Sequence, residues 1–162
     1  YWKDVGTISS LWEANMEVLD PEHSGINLFD SDWKIYSRNS GMTGHRICRG
    51  ATVENSMITD GCHVEGNVKH SILFAGVRVE AGATVEDAVV MGGTVIKSGA
   101  VVKHCIVAEN AVIGENAVVG AMPDGDENGV ATVGPGVYVG DGAKIGPHAM
   151  VNNNVKGGEE QW

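Results

Sequence analysis

The feature that most restricts the fold of this chain is the spacing of its aliphatic residues. From Val53 onward, valine, isoleucine and leucine recur in steps that settle into five, six and six residues, which together make a repeat of 17. The residues Val68, Val85, Val102 and Val119 follow that repeat. An α-helix would show a period of about 3.6 residues and an isolated strand a period of about two. Three nearly equal steps indicate a chain that winds around a triangle, with one short strand on each side.

Two further columns of residues keep step with the aliphatic column. A small residue stands two positions before nearly every aliphatic one, and a period of two places both columns on the inner face of the coil. Three positions before each aliphatic stands a type that tolerates a positive φ, as a corner requires, with Glu65 as the exception. The corner residues are Gly50, Asn55, Gly61, His70, Gly76, Gly82, Asp87, Gly93, Gly99, His104, Asn110, Asn116, Gly136, Gly142 and His148. The pattern predicts an all-β solenoid of parallel strands whose coils stack about 4.8 Å apart.

The regular spacing is interrupted after Val119 and restarts at Val133. This gap of 14 residues is not a whole number of sides, so residues 120–130 are predicted to leave the coil as a loop and to rejoin it. The acidic segment Asp124–Gly129 has part of the pattern of a calcium-binding loop but lacks the terminal glutamate of one. A solvated loop is therefore the interpretation that we favour.

The first fifty residues have a different character. Apolar residues at helical spacing follow Thr7, a good helix-capping residue, and Pro21 is predicted to end the helix, so the pattern favours one amphipathic helix over residues 7–19. Three of the four tryptophans also precede residue 50, where they either cover the solenoid or pack against another domain. We divide the chain into a helix and linker segment (1–50), a β-helix domain (51–155) and a tail (156–162).

Charge and cysteine content argue against several classes of function. The formal net charge of −10 disfavours a nucleic-acid partner or an anionic membrane surface, because both attract positively charged patches. Cysteines are sparse and show no CxxC spacing, so neither a disulfide framework nor a zinc site is indicated, and a reducing, cytoplasmic location is expected. Cys62 and Cys105 fall in the small inner column and are predicted to be buried and unreactive. Cys48 precedes the regular repeat and has no predicted position.

The run YWKDVGTISSLWEANMEVLDP, the later DWKIYS and the hexapeptide-like coils that follow resemble the C-terminal region of bacterial glucose-1-phosphate adenylyltransferases. The resemblance implies a left-handed parallel β-helix, and the hand follows from the family alone, since the general rule for parallel crossovers favours the opposite one. It also implies a parent enzyme of glycogen biosynthesis that makes ADP-glucose and pyrophosphate from ATP and glucose 1-phosphate. Such a parent is a homo- or hetero-tetramer under metabolite control. In it, this region would serve oligomerisation and allosteric regulation and would contact its own catalytic domain and other subunits.

The resemblance also indicates which motifs of such an enzyme do not occur in this sequence. No GxGxxG or Walker pattern occurs, because the glycines fall on the corner column. Of the carboxylates that hold magnesium in the family, only Asp4 has a counterpart, and one carboxylate does not fill the octahedral shell of that cation. No catalytic residue and no bound cofactor are therefore expected here. We expect the chain alone to lack adenylyltransferase activity, although the intact parent would use magnesium.

Three arginines are the candidates for binding a regulatory ligand. Arg38, Arg46 and Arg49 cluster between the KIYS segment and the first coil of an otherwise acidic chain. The resemblance implies that sugar phosphates or inorganic phosphate bind near this junction, and the planar fork of arginine suits phosphate oxygens. A solvated connector is the alternative interpretation.

Two other functions stay open from the residues alone. A hexapeptide-repeat acyltransferase would use a similar solenoid with a histidine as general base. However, His70, His104 and His148 lie on the corner column, where backbone conformation already accounts for them. A purely structural β-helix scaffold is the second alternative, and the low aromatic content of the solenoid favours it.

Outward-facing aliphatic residues predict an interface. Val89 and Ile106 stack on one side of the coil and Val101 and Val118 on another, each one position before an inward aliphatic residue. Contiguous apolar patches on a surface usually mark contact sites. We expect such a stripe to contact another subunit or the catalytic domain of the parent, and we expect the isolated chain to self-associate.

Overall fold

The computed structural model describes residues 1–37, 39–124 and 129–162, and the strands in these ranges wind into three sheets. Successive strands take the three sides of the coil in turn, and neighbouring strands run parallel. The first sheet contains β1 (Arg46–Ile47), β4 (His63–Val64), β7 (Arg78–Val79), β10 (Val95–Ile96), β13 (Val112–Ile113) and β16 (Tyr138–Val139). The second contains β2 (Thr52–Glu54), β5 (Asn67–Lys69), β8 (Thr84–Glu86), β11 (Val101–Lys103), β14 (Val118–Val119), β17 (Lys144–Ile145) and β19 (Glu160–Gln161). The third contains β3 (Met57–Ile58), β6 (Ile72–Leu73), β9 (Val89–Val90), β12 (Cys105–Val107), β15 (Ala131–Val133) and β18 (Met150–Val151).

The pairing register reproduces the 17-residue repeat. In the second sheet, Val85 pairs with Val68 and with Val102, and Val102 pairs with Val119. The same interval joins inner aliphatic residues in the other two sheets. The predicted all-β parallel solenoid is therefore confirmed, and the sequence period corresponds to one complete turn of the coil.

The corners of the coil lie where the sequence predicted them. Every predicted corner residue has a positive φ, and all seven non-glycine residues with positive φ in the described part of the chain belong to that column. Asparagine, aspartate and histidine tolerate this conformation better than other side chains. Glu65, the exception in the sequence, is followed by Gly66, where an added Cβ would lie 2.4 Å from the carbonyl oxygen of Ala83. That corner is tight, and steric contact accounts for its glycine.

The inner columns form one continuous core. Cys62 and Cys105 are 2% and 0% exposed, as predicted for the small column, and Leu73 of the aliphatic column is 0% exposed. Exposure rises only where the coil begins, with Ile47 at 41% and Val53 at 39%. The reason is that β1 and β2 are edge strands, so a single neighbouring coil covers these residues.

The coil extends past both of its predicted ends, 51 and 155. Strand β1 precedes the predicted start and pairs with β4. The segment 156–162, predicted as a tail, contains β19, which pairs with β17. Backbone hydrogen bonds of 2.8 and 2.7 Å join β17 and the residue after it to this segment. The correction has a simple cause, because unpaired N–H and C=O groups at the end of an open coil gain partners from the last residues of the chain.

The predicted loop lies between two strands that keep the coil in register. Strand β14 ends at Val119 and β15 begins at Ala131, and Val133 of β15 pairs with Val107. The strand order therefore resumes on the third side of the coil, next to β12. Residues 125–128, which carry most of the acidic, calcium-like pattern, lie outside the described residues.

One helix of nine residues dominates the N-terminal segment. The helical elements are α1 (Ile8–Met16), a 3₁₀ turn over Glu17–Leu19, and the short α2 (Pro21–Ser24). Thr7 caps α1, since its Oγ1 accepts a hydrogen bond from Ser10 N at 3.1 Å while Ser10 Oγ accepts one from Thr7 N at 3.0 Å. The helical stretch ends at Leu19, as Pro21 led us to predict, and Pro21 itself begins α2, at a position where its missing N–H removes no helical hydrogen bond. Within the described ranges, no helix combines the length and apolar character needed to cross a membrane.

Candidate functional site at the junction of helix and coil

Helix α1 lies against the third sheet and covers part of its outer face. Val89 of β9 and Ile106 of β12 are only 0% and 5% exposed, and Met16 of α1 packs with them. The other members of this apolar cluster are Ile8, Leu11, Trp12, Leu19, Met91 and Val130. The predicted stripe of Val89 and Ile106 does face outward, but the chain's own helix covers it. It is therefore not a free surface for a partner.

A polar cluster joins α1 to one corner of the coil. Asp87 Oδ1 accepts a hydrogen bond from His70 Nδ1 at 2.7 Å, and Asp87 Oδ2 accepts one from His104 Nδ1 at 2.6 Å. Trp12 Nε1 donates to the backbone oxygen of Asp87 at 2.9 Å, and the Trp12 and His104 ring centroids are 4.5 Å apart. One carboxylate thus holds corner residues of three successive coils beneath a side chain of the helix.

The two histidine rings of this cluster differ in how far they are exposed. Both turn Nδ1 toward the Asp87 carboxylate, whose oxygens accept hydrogen bonds. His104 is 1% exposed, and its Nε2 has no hydrogen-bond partner within the described ranges. A ring sealed in this way cannot reach a substrate in solution. The arrangement orders the junction and does not favour a histidine-based acyl transfer at this corner.

The candidate arginines lie on the first coil, as far as the structure describes them. Arg46 begins β1 and Arg49 follows in a turn, both with exposed side chains, whereas Arg38 lies outside the described residues. Strand pairing aligns Arg46 with His63, and His63 with Arg78, so three basic side chains share the outer face of the first sheet. Arg78 was not predicted as a candidate, although its position two coils after Arg46, in the same outward register, was available as a signal.

The residues before α1 are held to the helical stretch by polar contacts. Lys3 Nζ and Tyr1 OH both contact the carboxylate of Glu17, and its pKa is lowered, first by the hydrogen bond from Lys3. Asp4 is exposed, and its Oδ1 accepts a hydrogen bond from Gly6 N at 3.0 Å. A single exposed carboxylate does not match the octahedral oxygen shell of Mg²⁺. The described residues therefore do not by themselves form the magnesium site that the resemblance implies.

The three cysteines differ in their surroundings, and all are free thiols. Burial raises the pKa of both Cys62 and Cys105, which agrees with their predicted lack of reactivity. Cys48 lies just after β1 and is partly exposed, with its Sγ 3.3 Å from His63 Nε2. Glu65 Oε1 lies 2.9 Å from the same nitrogen. Cysteine spacing along the chain did not predict this group, because its members come from two different coils.

Several apolar and aromatic side chains stay accessible around the coil. Val101 and Val118 pair in the second sheet and are partly exposed. Of the three tryptophans before residue 50, Trp12 contacts the coil, whereas Trp2 and Trp33 are 84% and 79% exposed. In the N-terminal segment, one tryptophan ring therefore anchors the helix on the coil, and the other two form part of an exposed aromatic surface.

Comparison with known proteins shows which families contain sequences similar to this chain. A family model described as "GlmU-like, C-terminal hexapeptide" matches residues 41–140. Glucose-1-phosphate adenylyltransferase of Bacillus thuringiensis (strain Al Hakam) is 57% identical over 82 residues, which make up 51% of this chain and 22% of that relative. The proteins of the same name in Bacillus anthracis and Bacillus mycoides (strain KBAB4) are 57% and 56% identical over the same number of residues. The match thus spans 22% of the length of these curated relatives.

Proposed function

The chain belongs to the GlmU-like C-terminal hexapeptide family, and from this premise we propose that it is the β-helix domain of a glucose-1-phosphate adenylyltransferase. The identity of 57% over 82 residues is the observation that carries the proposal. The parent enzyme converts ATP and glucose 1-phosphate to ADP-glucose and pyrophosphate for glycogen biosynthesis, with magnesium held mainly by a catalytic domain. We place it in the cytoplasm, where the free cysteines stay reduced.

The first role of the domain is association. Trp2 and Trp33 lie exposed beside the helical segment, and the first coil leaves Ile47 and Val53 partly uncovered. Exposed apolar groups of this kind gain free energy when a second surface removes them from water. We assign this end of the molecule to contact with the catalytic domain. The partly exposed stripe that contains Val101 is assigned to contact between subunits of a homo- or hetero-tetramer.

The second role is regulation. Arg46 and Arg49 are exposed on the first coil, and Arg78 lies on the same outer face as Arg46. Guanidinium groups bind phosphate oxygens in pairs of parallel hydrogen bonds, so this face suits a sugar-phosphate or phosphate effector. Arg38 stays a candidate on sequence grounds alone. An effector bound here would act on the coil strand that directly follows the linker.

A chimeric enzyme tests the proposal. The chain replaces the matching C-terminal region of the Bacillus anthracis relative, and ADP-glucose formation is measured in the presence of magnesium. We expect an active chimera, whereas Val102→Asp in the buried core of the same chimera should abolish activity by disrupting the coil. The isolated chain should show no exchange of labelled pyrophosphate into ATP. A folded but inactive chimera contradicts the assignment, and exchange by the isolated chain contradicts its expected inactivity.

The arginines are tested in the same chimera. Arg46→Gln and Arg49→Gln remove the planar charged fork but leave the buried core intact. We expect each variant to keep the basal rate and to lose most of the response to inorganic phosphate or a sugar phosphate. Lys144→Gln is the matched control, because it removes an exposed cation at the other end of the coil. Equal responses in all variants would remove these arginines from the effector site.

A further inference from the structure

We propose that Cys48, His63 and Glu65 form a binding site for one divalent transition-metal ion of the zinc class. Their ligand atoms lie within 4.8 Å of one another. His63 Nε2 is 3.3 Å from Cys48 Sγ and 2.9 Å from Glu65 Oε1. A thiolate, an imidazole and a carboxylate together are a donor set typical of zinc and its neighbours, and they are a poor set for Mg²⁺ or Ca²⁺.

Regular strand pairing positions all three ligands. Residues 63 and 65 are two apart along one strand direction, so their side chains point to the same outer face. Cys48 follows β1, and its backbone N donates to Val64 O at 2.8 Å, which places it beside Glu65 on the neighbouring coil. The site therefore depends on backbone hydrogen bonds between coils and needs no flexible loop to assemble.

The geometry distinguishes a metal site from a catalytic relay. In a Cys–His–acid relay, the thiol and the carboxylate contact opposite nitrogens of the imidazole ring. Here both contact the same atom, His63 Nε2, which carries at most one proton. The ligand atoms of Cys48, His63 and Glu65 are all good acceptors when deprotonated, and they surround one small space. A cation in that space can bind all three atoms together, which a single proton cannot do.

The backbone conformation at position 65 does not account for the presence of a glutamate there. It is the exception among the corner-column residues, and its φ is not positive. The tight turn is made by Gly66, where a Cβ would collide with the next coil. A glutamate side chain at this place therefore stays free for another role, and 44% of it is exposed beside His63.

The charges of the ligands, and not those of their neighbours, balance a divalent ion. Arg46 and Arg78 flank His63 through strand pairing and would repel an uncompensated cation. A thiolate and a carboxylate supply two negative charges, so the ion and its ligands together are neutral. A cleft of about 130 Å³ lined by His63, Glu65 and Arg78 leaves room for water as a further ligand. The ion would also join β1 to β4 where the first coil is least covered.

Cobalt titration of the whole chain tests the site. Co²⁺ bound to a thiolate gives a sulfur-to-metal charge-transfer band in the near ultraviolet, and we expect saturation at one ion per chain and displacement by Zn²⁺. Zn²⁺ should also raise the Tm in a concentration-dependent way, because it binds the folded state. Cys48→Ser should abolish the band. His63→Asn and Glu65→Gln should each weaken Co²⁺ binding by about tenfold or more, since each removes one ligand.

Matched controls separate this site from adventitious binding. His45→Asn changes an exposed histidine near the site, and Cys105→Ala removes a buried thiol elsewhere in the coil; both should leave the band unchanged. Far-ultraviolet circular dichroism confirms that each variant is folded. The proposal is overturned if the folded wild-type chain gives no band, or if the band survives Cys48→Ser. It is also overturned if His63→Asn and Glu65→Gln bind Co²⁺ as tightly as the wild type.

Discussion

The coil and the segment that precedes it bury their side chains in different ways. Inside the coil, the inner aliphatic residues from Val64 to Val133 are at most 1% exposed. In residues 1–37, Trp2 and Trp33 are at least 79% exposed, and Trp12 is held by its contact with one corner. The coil residues find their partners one repeat away in the same chain. The segment is held mainly through the contact of α1 with the coil, and it leaves Trp2 and Trp33 exposed.

This difference shows that the coil and the preceding segment gain their stability from different kinds of contact. Each coil contacts mainly its neighbours, so the solenoid gains stability from repeated local contacts. Helix α1 gains its place from a few long-range contacts to β9 and β12. Changes to the inner columns should therefore affect folding, and changes to the junction should affect how the segment is held.

The largest effect is expected in the middle of the aliphatic column. Leu73 is 0% exposed, and Leu73→Ala should lower the free energy of unfolding by about 2–5 kcal/mol through lost burial and a cavity. Val53 occupies the same column at the edge of the coil with 39% exposure, and Val53→Ala should cost less than about 1 kcal/mol. Urea denaturation measures both. Equal costs would show that the ends of the coil are as well packed as its centre.

Thiol reactivity compares the inner columns with the outer face. Cys48 is partly exposed, whereas Cys62 and Cys105 are 2% and 0% exposed. In metal-free buffer the two buried thiols should react with iodoacetamide roughly 100-fold or more slowly than Cys48, because they must wait for the coil to open. Mass spectrometry of the modified peptides gives the rates, and denatured chain provides the reference. Rapid modification of Cys105 in the native chain would show that the assigned register is wrong.

The junction is tested by opposite substitutions, Asp87→Asn and Asn110→Asp, at two corners of the same backbone conformation. Asp87→Asn should cost about 1–3 kcal/mol, because the amide accepts through its single oxygen and its NH2 group leaves one of the two histidine N–H groups without an acceptor. Asn110 has the same φ of 57° as Asp87. Asn110→Asp, at an exposed corner, should therefore change the free energy of unfolding by less than about 0.5 kcal/mol. If both substitutions cost the same, the histidine contacts do not stabilise the fold.

The smallest effect is expected on the outer face of the second sheet. Lys103 Nζ and Lys69 Nζ lie 3.2 and 3.5 Å from the Glu86 carboxylate, and the pKa of Glu86 is lowered, first by its hydrogen bond with Lys103. Since the folded pKa lies below the unfolded value of about 4.3, this stabilisation is complete above that pH. It is lost as the pH falls through the folded pKa.

Glu86→Gln should therefore lower the free energy of unfolding by about 0.5 kcal/mol at neutral pH and have almost no effect in strong acid. Urea denaturation at several pH values measures the difference between variant and wild type. Glu109→Gln, at an exposed turn position, serves as the control. A cost for Glu86→Gln that does not change with pH would mean that its ion pairs contribute nothing.

The sequence was sufficient to predict features that depend only on the type of a residue and on its position within the 17-residue repeat. The corner column was predictable because positive φ is a property of the residue itself, as at Asn55 or His148. The inner columns were predictable because a fixed period turns position in the chain into position in space. The same logic located the break in the strand spacing between Val119 and Ala131, and it identified Glu65 as an exception in the corner column.

Features that depend on contacts between segments far apart in the chain could not be predicted from the sequence. Nothing in the spacing shows that α1 covers Val89 and Ile106, because helix docking depends on the whole surface. In the sequence, the bridge from Asp87 to His70 and His104 is visible only as an interval of 17 residues, and a corner conformation is by itself a sufficient reason for all three residue types. Cys48 precedes the regular repeat, so pairing of β1 with β4 was needed to place it.

Hydrogen exchange along the whole chain tests most directly the central claim, that the coil is complete in itself while the preceding segment depends on one anchor. We predict that amides of β5–β14 exchange slowest and those of residues 26–37 fastest, with α1 between them. Asp87→Asn should accelerate exchange in α1 and leave the slowest coil amides nearly unchanged. Protection of residues 26–37 equal to that of the coil, or exchange in α1 that ignores Asp87→Asn, would contradict the account.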